Sequence, residues 1–181
     1  ILLLVALAPL FIIPVVRWGV PLLQSALLIR LDFDLSVHYR FITGLLLLVP
    51  PLLMGTIVGF MILDDRDEQV IQFLSVTPLS MGGYLVYRMI SPLVAGFAGS
   101  ILMPALTGLT DYNLAATLPV ALTAGLQAPM LAMYLAAFAG NKVEGLALSK
   151  ALGILDFAPF AGYLIESRWQ LLAGVLPPYW V

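Results

Sequence analysis

FITGLLLLVPPLLMGTIVGFMIL, residues 41–63, decides the fold: it runs 23 residues without a charge and then meets Asp64-Asp65-Arg66-Asp67-Glu68. A helix of that length would measure about 35 Å, enough to cross a bilayer with some tilt. The charged block is the only dense one in the chain, and apolar stretches of spanning length lie on both sides of it. A polar island between two spans sits at a membrane face. Five charges packed there make a surface that a soluble partner can grip, which points to a membrane component worked from outside rather than to an enzyme.

Composition supports lipid as the solvent. Of 181 residues, 62% are hydrophobic and 10% charged, and mean hydropathy is +1.06. Soluble domains carry roughly 25% charged residues. A water-soluble fold of this size could not hide so much apolar surface. The 8 Lys plus Arg and 10 Asp plus Glu form no basic patch, so nucleic acid is excluded as a partner. Cysteine is absent, so there is no disulfide framework and no thiolate metal site.

Working outward from the island, five apolar units are expected, joined by short polar turns. Ile1–Val16 reads as one span, followed by Arg17, an interfacial Trp18–Ile29 and a polar connection holding Arg30, Asp32, Asp34, His38 and Arg40. The opening run lacks the basic start and small-residue cleavage site of a signal peptide. Phe41–Leu63 is the second span, kinked at Pro50-Pro51. Its Gly55 and Gly59 stand four apart on one face, a small-xxx-small spacing that suits close helix packing. Asp67 is expected to cap a short amphipathic helix ending at Leu74, stopped by Thr77-Pro78, with a turn at Ser80 and Gly82-Gly83. Tyr84–Leu109, Leu114–Ala139 and Leu146–Ile165 are the remaining spans, and Trp169–Val181 suits the headgroup zone. The chain therefore reads as one transmembrane domain, an all-α polytopic helical bundle over residues 1–181. Neither end reads as natural, and a sixth span is expected beyond Val181. Lys and Arg are shared equally between the two sides, so the positive-inside rule leaves orientation open.

Catalytic constellations are missing from the sequence. It has no Gly-x-x-x-x-Gly-Lys-Ser/Thr phosphate loop, no His-Glu-x-x-His and no Gly-x-Ser-x-Gly. His38 with two loop acids is a weak metal site, and a solvated loop histidine is the plainer reading. Asp156 falls near the middle of the fifth apolar unit, where a charge costs about 2.5–3.5 kcal/mol on insertion scales. It either lines a translocation route or meets a cationic group on a substrate, or else it is a protonated acid bonded to a neighbouring helix, or the span is shifted so that Asp156 lies nearer the surface. Arg88 either snorkels to headgroups or pairs with Asp65 or Glu68. Asp64–Glu68 is either a solvated boundary turn or a docking edge, with Phe73 and Leu74 as apolar anchors and Lys142 and Glu144 as a second contact on the same face.

Leu63-Asp64-Asp65-Arg66-Asp67-Glu68, Val76-Thr77-Pro78-Leu79-Ser80 and Tyr84-Leu85-Val86-Tyr87-Arg88 together resemble ABC-2 type transporter permeases, in particular bacterial fluoroquinolone-export permeases. Asn141-Lys142-Val143-Glu144-Gly145 and Leu176-Pro177-Pro178-Tyr179-Trp180 extend the likeness, which covers Phe41 to Trp180. Gln69-Val70 departs from the family's usual Gly-Thr pair, and Asp156 interrupts a span that is usually apolar. The resemblance implies a type V exporter-like bundle of about six spans in the bacterial inner membrane, with the island facing the cytoplasm. It implies Asp64–Leu74 as the coupling element to a separate ATP-binding cassette subunit, which holds ATP and Mg while this chain holds no cofactor. It implies a second permease copy, as a homodimer or with a related chain, and an amphipathic drug-like or lipid substrate. The rival readings are a membrane scaffold without transport and an ion-coupled carrier using Asp156.

Overall fold

A computed structural model describes residues 2–70 and 81–180. The expected coupling helix through Leu74, its anchors Phe73 and Leu74, and the Thr77–Ser80 terminator lie outside the described residues, apart from the start of that helix. Among the described residues, four helices are long and apolar enough to cross a membrane. They are α1 (Leu2–Leu31), α2 (Tyr39–Asp67), α3 (Met81–Thr107) and α4 (Leu114–Phe138). Helix α5 (Lys142–Gly153), a 3-10 turn (Ile154–Phe157) and the short α6 (Ala158–Leu164) follow. Two further 3-10 stretches, Arg168–Val175 and Pro177–Trp180, complete the described chain.

The core is a three-helix wedge of α2, α3 and α4. Its apolar centre is Val58, Ile62 and Ala132, flanked by Met89 and Ala136. Lipid offers no hydrophobic force between helices, so close backbone approach at small residues has to supply the packing. Each pair of helices has such a contact. On α2, Gly55 faces Ala128 and Leu131 of α4, and Gly59 faces Leu135. On α3, Gly96 and Gly99 receive Pro51 and Pro50 of α2. On α4, Gly125 lies on the backbone of Phe97. These contacts run α3 antiparallel to α2, and α4 parallel to it.

Pro50-Pro51 sits inside an unbroken α2. Proline has no amide hydrogen, so Pro51 leaves the Leu47 carbonyl without its helical donor. Ser100 of α3, fully buried, donates its hydroxyl to that carbonyl at 2.7 Å. A neighbouring hydroxyl thus replaces the lost bond, as proline inside a lipid-embedded helix requires.

Three expectations are corrected. The first unit is one 30-residue helix, not a span ending at Arg17. Arg17 stays inside α1 because its guanidinium donates to the Leu106 carbonyl at 2.9 Å, among the terminal carbonyls of α3 that lack helical partners. Gly82 and Gly83 belong to the first turn of α3 rather than to a loop. The fifth unit, expected as one span over Leu146–Ile165, starts at Lys142 and tightens to a 3-10 turn at Ile154–Phe157, around Asp156, before α6. It still runs the length of the bundle, because Lys142 reaches Asp64 at one end and Tyr163 stacks on Phe41 at the other.

The final segment also differs from a simple interfacial tail. Trp169 and Trp180 are exposed, but the chain between them folds back on α6 and α4. Tyr179 lies against Gly162, and the Trp180 indole donates to the Gly174 carbonyl at 2.8 Å.

Candidate functional site

The acidic block forms the last turn of α2 and the turn after it. Asp67 is the final residue of α2 and Glu68 its C-cap, so Asp67 does not cap a following helix. Gln69 takes a positive φ of 58° and helical backbone resumes at Val70. The reason is local: the Glu68 amide still bonds the Asp64 carbonyl at 2.9 Å, which keeps Asp67 within α2.

Three of the five charges point inward, each to a different helix. Asp64 pairs with Lys142, the first residue of α5, at 2.5 Å. Asp65 accepts from the Arg88 guanidinium and the Tyr84 hydroxyl, both on α3. The Arg88 guanidinium also lies over the Tyr84 ring, 5.6 Å from its centre. Arg66 donates to the Ala139 carbonyl at 2.6 Å and the Ala136 carbonyl at 3.5 Å. Those carbonyls close α4, where a cation also favours the helix dipole. Of the two pairings open to Arg88, the structure forms the one with Asp65. Asp67 and Glu68 are exposed.

The second polar turn is tied to itself. Asn141 caps α5 by accepting from the Glu144 amide at 3.0 Å, and the Glu144 carboxylate accepts from the Gly140 amide at 2.7 Å. This is a capping box displaced by one residue. Lys142 stays largely exposed beside it, and Glu144 is exposed too.

At the opposite end, His38 is not a bare loop side chain. Its ring contacts the Tyr163 hydroxyl and stacks on Phe33 at 5.4 Å. Phe41 stacks on Tyr163 at 4.2 Å and meets Phe160 edge-on at 4.8 Å. Asp34, read as a neighbouring acid, caps the 3-10 turn before α2 instead, accepting from the Ser36 hydroxyl at 2.6 Å and amide at 2.9 Å. These bonds hold its carboxyl below the ordinary Asp value. No group of three or more His, Cys, Asp or Glu suited to a metal ion exists among the described residues.

Asp156 lies in the 3-10 turn and accepts from the side-chain amide of Gln127, which sits near the middle of α4. Gln127 also walls a cavity of about 330 Å³ with Met130, Tyr134, Leu152, Leu155 and Leu176. Sequence reading singled out Asp156 but missed Gln127. The available signal was a lone amide among apolar residues in the centre of a span, a position where polar groups are costly. Gly96 and Gly125 were missed as well. Their signal was the small-residue spacing Gly96-xxx-Ser100 and the row Ala121, Gly125, Ala128, Ala132.

All 181 residues match the family model described as "Fluoroquinolones export permease protein Rv2686c-like". The chain belongs to this family. Two relatives from Mycobacterium tuberculosis are similar to it: Fluoroquinolones export permease protein MT2760 of strain CDC 1551 / Oshkosh, and Fluoroquinolones export permease protein Rv2686c of strain ATCC 25618 / H37Rv. Each is 36% identical over 163 residues, covering 88% of this chain and 65% of the relative. The chain thus spans about two thirds of the length of these permeases. No solved structure matches it. The membership agrees with an all-α multi-pass membrane bundle.

Proposed function

We propose that the chain is the membrane-spanning part of an ATP-driven exporter in the bacterial inner membrane, worked at its acidic end by a separate ATP-binding cassette subunit. The observation that carries the coupling step is the three-way tie of Asp64, Asp65 and Arg66 to α5, α3 and α4. A force applied at Asp67, Glu68 and the turn beyond them passes to four helices together rather than bending one. Exposed rim charges set register and association rate, while apolar anchors such as Phe73 and Leu74 hold the complex. ATP and Mg belong to the partner. Closure of that partner tilts the helices as rigid bodies and opens a path between two permease copies, identical or related. Coupling requires that the partner bind this end differently in the two states.

The substrate is amphipathic, drug-like or lipid, in keeping with the drug-export names of the relatives and the apolar walls available. The test uses the full-length permease expressed with its neighbouring ATPase. Asp67→Lys with Glu68→Lys should abolish co-purification of the ATPase and ATP-dependent efflux, while the permease still inserts and elutes as a folded species. Unchanged co-purification and efflux would remove the coupling assignment. Efflux driven by a pH gradient without ATP would favour an ion-coupled carrier.

A further inference from the structure

A polar cavity of about 590 Å³ lies at the end of the bundle opposite the acidic block. There the 3-10 turn Leu35–His38 and the first turn of α2 face the connection between α3 and α4. Ser36, Tyr39, Arg40, Gly108, Thr110 and Asp111 line it. The cavities beside Gln127 and Met133, by contrast, are walled almost wholly by apolar side chains. Gly108 follows α3 with a positive φ of 63°, and nothing lies within 4 Å of the place where a side chain would stand. Arg40 and Asp111 are both exposed. Among the described residues neither has a hydrogen-bond or ion-pair partner, and they do not pair with each other. The nearby Asp34 differs, since Gln24 and Ser36 already donate to it. Two opposite charges that line one cavity without meeting leave room for a molecule that carries both signs.

We propose that this cavity binds the headgroup of a zwitterionic phospholipid with a primary ammonium, its phosphate at Arg40 and its ammonium at Asp111. The inference goes beyond the export reading and does not need it. Charge defines the class. A guanidinium takes two phosphate oxygens at once, and a carboxylate accepts from the N–H groups of an ammonium. An anionic headgroup would leave Asp111 unanswered, and a simple cation would leave Arg40 unanswered. The Ser36 hydroxyl hydrogen is engaged by Asp34, so its oxygen remains an acceptor, while the Thr110 hydroxyl can donate to phosphate. Position defines the source. Arg40 stands directly before the uncharged stretch 41–63, and Asp111 stands between α3 and α4. Both therefore sit where the spans leave the hydrocarbon and headgroups begin. Exposed charge contacts are individually weak, so a dilute free zwitterion would leave the cavity mostly empty. A lipid held in the plane of the adjoining leaflet is present at high effective concentration and fills it. The volume falls within the range of ordinary ligand pockets, about 300–1,000 Å³. A bound headgroup would tie the start of α2 to the α3–α4 connection, two elements whose charges the protein itself leaves apart.

The test uses the full-length permease in neutral detergent, with Kd for the first bound lipid read by native mass spectrometry. Phosphatidylethanolamine, phosphatidylcholine and phosphatidylglycerol with the same acyl chains are compared. Phosphatidylcholine replaces the N–H donors with methyl groups, and phosphatidylglycerol has no cation. Phosphatidylethanolamine should bind about threefold or more tightly than either. Asp111→Asn should remove its advantage over phosphatidylcholine and leave phosphatidylcholine within about twofold. Arg40→Gln should weaken all three lipids, because all three carry the phosphate. Asp32→Asn, at an exposed acid of the same end that does not line the cavity, should leave the preference intact. Glycerophosphoethanolamine, the same headgroup without chains, should compete only at millimolar concentration. Equal binding of the three lipids by the unaltered permease would overturn the proposal, and that arm needs no variant. A preference that survives Asp111→Asn, or one that Asp32→Asn removes equally, would overturn it too. Competition by micromolar glycerophosphoethanolamine would assign the cavity to a soluble zwitterion and overturn the lipid reading. None of these outcomes depends on ATP-driven efflux, whose absence would strike the export reading alone.

Discussion

Ser100 donates its hydroxyl to the carbonyl of Leu47 at 2.7 Å, the carbonyl from which Pro51 withholds the helical amide. One bond therefore repairs α2 and locks it to α3. Replacing Ser100 with Ala should cost about 1–2 kcal/mol, since it strands a buried acceptor. In a Pro51→Ala background the amide returns to Leu47, and the same Ser100→Ala change should cost much less. Reversible unfolding in mixed micelles gives the double-mutant cycle. Additive effects at the two positions would show that the bond does not perform this repair.

A methyl group at Gly55 would stand 2.5 Å from the Ala128 carbonyl oxygen and 2.9 Å from Leu131 Cβ. Backbone cannot yield as a flexible side chain can, so Gly55→Ala should push α2 and α4 apart at a cost of about 1–3 kcal/mol. At Gly19 nothing lies within 4 Å of the same methyl. Gly19→Ala should be neutral or slightly stabilising, because alanine is the better helix former. Equal effects at the two sites, measured by thermal unfolding, would contradict the packing described for Gly55.

Asp65 answers Arg88 and Tyr84 at once, with both charged side chains less than a fifth exposed. Asp65→Asn should cost about 1.5–3 kcal/mol by leaving the guanidinium underpaired. Tyr84→Phe should cost about 1 kcal/mol. The exchange of Asp65→Arg with Arg88→Asp should recover part of the loss, which a charge-independent role for these positions would not allow.

Arg66 closes the carboxyl end of α4 through Ala139 and Ala136. Arg66→Met retains much of the aliphatic stem but removes the donors, and should lower stability by about 0.5–2 kcal/mol. Hydrogen exchange should speed up in the last turn of α4 and in the turn after it. Protection unchanged there would rule out the capping role.

Asp34 gives the pH dependence its sign. Its Ser36 and Gln24 bonds hold the folded-state pKa below the ordinary value of 3.8. The stabilisation it brings to the turn before α2 is therefore complete above that value and is lost as pH falls through the folded pKa. In Asp34→Ala this acid-linked loosening, followed by exchange at Ser36, should vanish.

The acidic block illustrates how far sequence reading goes. Position and density of charge mark Asp64–Glu68 as a boundary, and the structure puts it at the end of α2. Which of those charges face inward is a different question. Asp64, Asp65 and Arg66 are drawn to Lys142, Arg88 and the α4 carbonyls, partners 70 or more residues away for two of the three. Helical spacing alone does not reveal such neighbours. Asp156 shows the same divide: its burial cost is legible, but the 3-10 turn that carries it and the Gln127 that binds it are not.

By itself the sequence determined the solvent and the class of the fold. Long uncharged runs admit only helices in lipid, since every backbone group must be bonded within its own segment. It also marked the polar boundaries and one small-residue face, Gly55 and Gly59. Tertiary structure alone decided that the fifth unit tightens to a 3-10 turn at Asp156, that Ser100 repairs the gap left by Pro51, and that Gln127 bonds Asp156. Local hydrogen bonding fixes a span from its own residues, whereas these features arise where side chains from different spans meet, and long-range contact leaves no period along the chain.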